Sequence, residues 1–172
     1  MKRRTLLKTI SALATTTLAA SASVWAHTID TGKKIIKLDK NVKEWKALIT
    51  DEQYYILFEE GTEAPGSSPL NDVKDKGTFI CAACYLPLFK SETKYDSGTG
   101  WPSFYQAIDG RVGTKLDLKL IWPRTEYHCI RCGGHQGHVF EDGPQPTGLR
   151  YCNNGLALKF IPESKPLPKL RS

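Results

Sequence analysis

The chain has 172 residues with 24 basic and 18 acidic side chains. This length suits one domain with room for a removable leader. Four of the bases, Lys2, Arg3, Arg4 and Lys8, lie within residues 1–26, which hold no acid. The remainder therefore carries 20 bases against 18 acids, a net charge near +2, and this excludes charge-driven nucleic-acid binding as the main activity.

Residues 1–26, MKRRTLLKTISALATTTLAASASVWA, have a basic start, an apolar and small-residue middle, and Val24-Trp25-Ala26 as a cutting site. That is the pattern of a signal peptide. The middle is too short, and too rich in Thr and Ser, for a stable membrane anchor. Arg3-Arg4 followed by Leu6, Leu7 and Lys8 resembles a twin-arginine signal, so the expected location is the periplasm, reached already folded. Met1 is the only methionine and would leave with this leader.

Residues 27–40 read as a loose lead-in. From Asn41 the pattern turns helical: Val42, Trp45, Leu48 and Ile49 recur at helical spacing, with Asn41 as the cap. Thr50-Asp51-Glu52-Gln53 forms a capping box that opens a second helix. Tyr54, Leu57 and Phe58 share one of its faces, and Gly61 ends it. Residues 60–72 form an irregular loop. Beyond it, short apolar or alternating runs predict strands over 77–80, 85–89, 117–122, 125–129, 137–141 and 156–161. The tail, 162–172, has three prolines and no periodicity, and is expected to be disordered or lightly docked.

Four of the five cysteines form two pairs, Cys81-Ala-Ala-Cys84 and Cys129-Ile-Arg-Cys132, separated by 44 residues. Two residues between thiolates let one tight turn present both sulfurs to one ion. Two such knuckles complete a tetrahedral sulfur site, which suits zinc. Gly133-Gly134 permits the turn after the second pair. Four sulfurs leave no open position, so the expected zinc is structural. Two other readings stay open here: disulfides, which exported proteins favour, and a redox role for one pair. A disulfide within so short a loop would be strained.

Cys152 stands apart, in Leu149-Arg150-Tyr151-Cys152-Asn153-Asn154. A lone cysteine in an arbitrary protein is most often a small buried hydrophobe. Here Arg150 favours a thiolate if the strand is regular. His135 and His138 precede the turn-rich DGPQPTG loop (142–148), which can fold them back toward Cys152. A single cysteine with nearby His and Asn is the pattern of a nucleophile with proton-transfer partners.

Taken together, GTEAP, CAAC followed by PLF, TKYDSGTGWPSF, CxxC, HQGHVFEDGPQPTGLRYC and LALKF resemble the methionine-R-sulfoxide reductase (MsrB) family, in order and over about residues 40–161. The resemblance implies a mainly β (α+β) fold of the MsrB/Mss4-like type, with coiled antiparallel sheets, short N-terminal helices and structural Zn2+ on Cys81, Cys84, Cys129 and Cys132. It implies a catalytic domain over 41–161 that reduces the R epimer of methionine sulfoxide in proteins, peptides or free form. It places Cys152 as nucleophile, His135 and His138 as the active-site histidines, Trp101 as the wall against the S-methyl group, Asn154 as the asparagine after the nucleophile and Arg150 as a supporting arginine. Attack would leave Cys152 as a sulfenic acid.

One position departs from the family. Many members carry a resolving cysteine between the glycines of SG-x-GWPSF, and here that position is Thr99. A one-cysteine mechanism follows, in which an external thiol (a thioredoxin-like protein or a small thiol) reduces Cys152. The expected partners are this reductant and methionine-sulfoxide-containing proteins, with the chain as a monomer. Two competing functions remain at this point: a zinc-knuckle binding module without chemistry, and a thiol–disulfide exchanger using CAAC.

Overall fold

The computed structural model describes residues 35–119 and 121–172. The expected signal peptide and residues 27–34 of the lead-in lie outside the described residues. Among the described residues, no helix is long and apolar enough to cross a membrane.

Two short helices lead. A 3₁₀ helix spans Val42–Ala47, and its cap is Asn41, which accepts from Lys43 N at 3.0 Å. The α-helix α1 spans Asp51–Glu59. Thr50 caps it through a reciprocal box: Gln53 N donates to Thr50 Oγ1 at 3.2 Å, and Thr50 N donates to Gln53 Oε1 at 3.3 Å. Trp45 and Phe58 stack at 5.7 Å and tie the two helices together. Tyr54 and Leu57 are buried as expected, and so is Ile56. The left-handed residue that ends α1 is Glu60 (φ 55°) rather than Gly61. Gly61 is needed for space: a Cβ there would lie 2.2 Å from the Tyr55 ring.

Among the described residues, nine strands follow: β1 (Gly77–Cys81), β2 (Pro87–Lys90), β3 (Lys94–Tyr95), β4 (Ser103–Phe104), β5 (Val112–Asp117), β6 (Arg124–Cys129), β7 (His135–Phe140), β8 (Arg150–Asn153) and β9 (Leu158–Pro162). They form two antiparallel sheets, ordered β2-β1-β9 and β3-β4-β8-β7-β6-β5. This is the mainly β, antiparallel fold expected. The core lies where the sheets meet. Phe89 of the small sheet stacks on Phe104 of the large one at 4.2 Å, while Phe79 meets the same ring edge-on at 4.9 Å. Each such buried side chain contributes about 1.5–3 kcal/mol.

One expected strand is misplaced. The run 117–122 is not a strand; β5 occupies Val112–Asp117 and the chain then leads through a connection to β6. The apolar run there misleads because it faces solvent: Leu118, Ile121 and Trp122 are 66%, 94% and 80% exposed. Pairing with β6 sets the register instead, and the ladder closes on an Asp117–Arg124 ion pair of 2.7 Å. The short strands β3, β4 and β8 were not expected. The tail is docked rather than disordered: Arg171 N donates to Cys84 O at 3.0 Å, and its guanidinium lies 4.1 Å from the Tyr85 ring centre.

Candidate active site

The two cysteine pairs meet. β1 ends at Cys81 and β6 at Cys129, and a tight turn follows each. The turns match: Tyr85 N donates to Cys81 O and Gly133 N to Cys129 O, both at 2.9 Å, and the closing residues are left-handed, with φ 63° at Tyr85 and 75° at Gly133. The four sulfurs lie within 4.8 Å of one another. Cys81 and Cys132 are 3.7 Å apart, and Cys84 and Cys129 3.5 Å. Four thiolates about 2.3 Å from a tetrahedral zinc stand about 3.8 Å apart, so the cluster fits that ion. It does not fit disulfides, whose sulfurs are about 2.05 Å apart; all five cysteines are free. The thiols of Cys129, Cys132 and Cys81 bond toward Cys84 and hold it far below the ordinary thiol range. Bonds within the same cluster push the Cys81 and Cys132 thiols up. The crowded sulfurs thus oppose ionising together, and a cation among them would relieve that opposition. Gln136 Nε2 points at Cys81 Sγ from 3.7 Å.

Cys152 lies within the large sheet, on β8 between β4 and β7. The register builds one row across all six strands: Tyr95, Ser103, Cys152, His138, Glu126 and Lys115. Residues paired directly across antiparallel strands share a face. His138 is therefore the direct neighbour of Cys152.

His135 and His138 are three apart, which in a regular strand would put them on opposite faces. A bulge prevents this. Tyr127 pairs with Gly137 and His128 with His135, so Gln136 is the extra residue. Both imidazoles come to one side, with ring centres 5.5 Å apart, and each meets a carboxylate. His138 Nε2 lies 2.7 Å from Asp117 Oδ2, and His135 Nδ1 3.0 Å from Glu126 Oε1. Asp117 also accepts from Lys119 N at 2.9 Å and from Arg124. The Lys119 amide, His138 and Arg124 hold its carboxyl well below the usual range. An ionised Asp117 can only accept, so the proton between the pair belongs to His138 Nε2. Nδ1 is the nitrogen left for other work. Burial pushes the His138 pKa down, and Asp117 opposes that shift. His135 is 3% exposed and sits against Glu126, which also holds Lys115 at 2.9 Å.

Burial likewise pushes the Cys152 thiol up; a Thr99 hydroxyl donating to the sulfur would work the other way, and the Arg150 guanidinium does so. Arg150 is held in place by a two-pronged pair with Asp142, both bonds 2.8 Å, and lies 4.3 Å from the Phe140 ring centre. Thr99 Oγ1 is 3.9 Å from Cys152 Sγ. Asn154 is buried just past β8, with both amide atoms on backbone groups: Oδ1 accepts from Glu63 N at 3.1 Å and Nδ2 donates to Gln136 O at 3.2 Å. Its work here is to hold the chain that follows Cys152. The Trp101 indole donates to Glu63 O at 3.2 Å. The backbone N–H and C=O of Glu63 thus tie Trp101 to the segment after the cysteine. The Glu63 carboxylate completes the tie by accepting from Gly155 N and Leu156 N.

Asp117, Glu126, Arg124 and Glu63 were not singled out from sequence. Asp117 was hidden in the misplaced strand. Glu63 lay in the quoted GTEAP motif, but nothing local assigns it a partner 91 residues away.

Residues 49–162 match the SelR domain family. The chain belongs to this family. It is 52% identical over 128 residues to the peptide methionine sulfoxide reductase MsrB of Leptospira interrogans, a match covering 74% of this chain and 98% of that protein. The MsrB of Methanosarcina barkeri is 51% identical over 129 residues, with 74% and 91% covered. That of Agrobacterium fabrum is 49% identical over 127 residues, with 73% and 94% covered. The SelR match holds both knuckles and all six strands of the large sheet. The docked tail beyond β9 lies outside it.

Proposed function

We propose that the chain reduces methionine-R-sulfoxide in oxidised proteins and peptides to methionine, with Cys152 as the nucleophile. The observation that carries this reading is the direct opposition of Cys152 and His138 across β8 and β7, with Asp117 fixing the imidazole. A sulfoxide sulfur yields to a thiolate once its oxygen gains a proton. His138, protonated and supported by Asp117, can supply that proton, a kind of assistance worth about a hundredfold to ten-thousandfold. The Cys152 sulfur bonds to the sulfoxide sulfur as the sulfur–oxygen bond breaks and the protonated oxygen leaves as water. Water then attacks Cys152, the sulfur–sulfur bond breaks, methionine leaves, and Cys152 is left as sulfenic acid. The thiol has then lost two electrons and the sulfoxide has gained them. One external thiol condenses with the sulfenic acid, releasing water and leaving a mixed disulfide. A second thiol then frees Cys152 and leaves as the disulfide of the reductant.

Cys81, Cys84, Cys129 and Cys132 would hold zinc with no open position, as a structural ion. The basic Arg3-Arg4 leader supports export to the periplasm by the twin-arginine route, and we read the chain as a monomer there.

The test is a stereospecific assay with both sulfoxide epimers and dithiothreitol. Wild type should reduce only the R epimer, and Cys152→Ser neither. Full activity in Cys152→Ser, or reduction of the S epimer alone, would overturn the reading.

A further inference from the structure

Three hydroxyls lead away from Cys152. Thr99 Oγ1 is 3.9 Å from Cys152 Sγ, Ser97 Oγ is 2.8 Å from Thr99 Oγ1, and Ser97 Oγ is 2.7 Å from Ser103 Oγ. Ser103 Oγ then donates to Trp101 O at 3.0 Å. Ser103 is fully buried, whereas Ser97 and Thr99 are half-buried.

The last group sets a direction. A carbonyl only accepts, and each hydroxyl has one proton. Ser103 gives its proton to Trp101, so it must accept from Ser97, which must accept from Thr99. The Thr99 oxygen then faces Cys152 as an acceptor. With Cys152 as a thiol, four protons serve the four links of this chain. With Cys152 as a thiolate, three protons serve the same four links. Either the Thr99 oxygen faces the anionic sulfur with no proton between them, or hydroxyls reverse and the gap moves to a pair of oxygens or to the Trp101 carbonyl.

We infer that Thr99, Ser97 and Ser103, anchored on the Trp101 carbonyl, are positioning residues that form a one-way hydrogen-bond chain holding Cys152 as the protonated thiol at rest. The inference rests on the reading of Cys152 as nucleophile. It gives Thr99 a task beside the nucleophile: its oxygen is an acceptor 3.9 Å from Cys152 Sγ. A sulfenic acid, whose O–H is also a donor, suits the same polarity. Other charged or titratable groups surround Cys152: Arg150 on its own strand, Asp142 beside it, His138 on β7 and Tyr95 on β3 on its own face of the sheet, and Tyr127 on β6 on the opposite face. Hydroxyl variants leave all of them in place.

The test is the pH profile of iodoacetamide alkylation at Cys152, read by mass spectrometry of its peptide in the full chain. It needs no sulfoxide, so it stands or falls apart from the proposed reaction. Ser97→Ala frees Thr99 to donate to sulfur, and Ser103→Ala frees Ser97 and Thr99 together. Both should move the profile midpoint to lower pH and raise alkylation at pH 7 about threefold to tenfold, a full tenfold being one pKa unit. The rate on the high-pH plateau should not change. Ser97→Thr keeps the hydroxyl and should keep the wild-type midpoint. If the fully buried Ser103→Ala fails to fold, Ser97→Ala carries the test by itself. An unmoved or raised midpoint in Ser97→Ala, or a faster plateau with no midpoint shift, would overturn the inference.

Discussion

Cys152 and His138 are directly opposed across β8 and β7, and Gly137 beside them is what lets the strands meet. A Cβ on Gly137 would lie 1.9 Å from the Cys152 carbonyl oxygen. That oxygen is ladder backbone and cannot turn aside. Gly137→Ala should therefore destabilise the protein by roughly 1–3 kcal/mol, the usual range for overpacking. It should also reduce turnover more than tenfold by parting nucleophile from imidazole. Urea unfolding and the R-epimer assay measure the two effects.

Asp117 stabilises the protonated form of His138. Asp117→Asn removes that support, so the His138 pKa falls further below its ordinary value. If the protonated imidazole is the acid, the high-pH limb of kcat should move to lower pH. The rate at pH 7 should drop about tenfold to a hundredfold, part of the full value of acid–base assistance. A pH–rate profile checks both, and an unmoved limb would remove His138 from the proton step.

Thr99→Cys places a thiol where a hydroxyl already touches Cys152. A neighbouring thiol has a far higher effective concentration than one in solution. After one equivalent of sulfoxide, this variant should hold a 99–152 disulfide and lose two titratable thiols. Wild type under the same conditions should show one added oxygen, or a dimedone adduct, on the Cys152 peptide. Mass spectrometry without reductant distinguishes them.

The purified protein should hold about one zinc per chain. Cys84→Ser should lose it. Metal binding at structural zinc sites contributes on the order of 10 kcal/mol to folding, so this variant should be largely unfolded at 25 °C. Elemental analysis and circular dichroism give the two readouts. Metal-free wild type with full stability would refute the site.

Glu60 ties α1 to the edge of the large sheet through Lys115 and Lys119. The Lys115 bond first, and then that to Lys119, pulls its carboxyl down to about 2. A depressed carboxylate contributes stability above its unfolded pKa, near 4.5, and loses it as pH falls toward 2. The stability gap between wild type and Glu60→Gln should be constant above pH 4.5 and shrink below it. Urea midpoints from pH 7 to 3 follow the change, and a gap independent of pH would show that the ion pairs contribute nothing.

Features that depend on a few neighbouring residues were legible in the sequence. Asn41 and Thr50 cap their helices because a side-chain oxygen reaches a backbone amide two or three residues on. The paired cysteines announce a metal because two intervening residues make a sulfur-bearing turn. Cys152 stood out because it had no partner in such a pair. The site itself was decided elsewhere. Tyr95, Ser103, Cys152, His138, Glu126 and Lys115 form one row only because six strands pair in one register. Asp117 reaches His138 because β5 ends at the ladder rather than following the apolar run beyond it. The two histidines face one way because Gln136 is bulged out. Period-two patterning can report which residues share a face of one strand. It carries no information about which strand lies alongside, or where a bulge resets the count, because those depend on pairing between residues far apart in the chain.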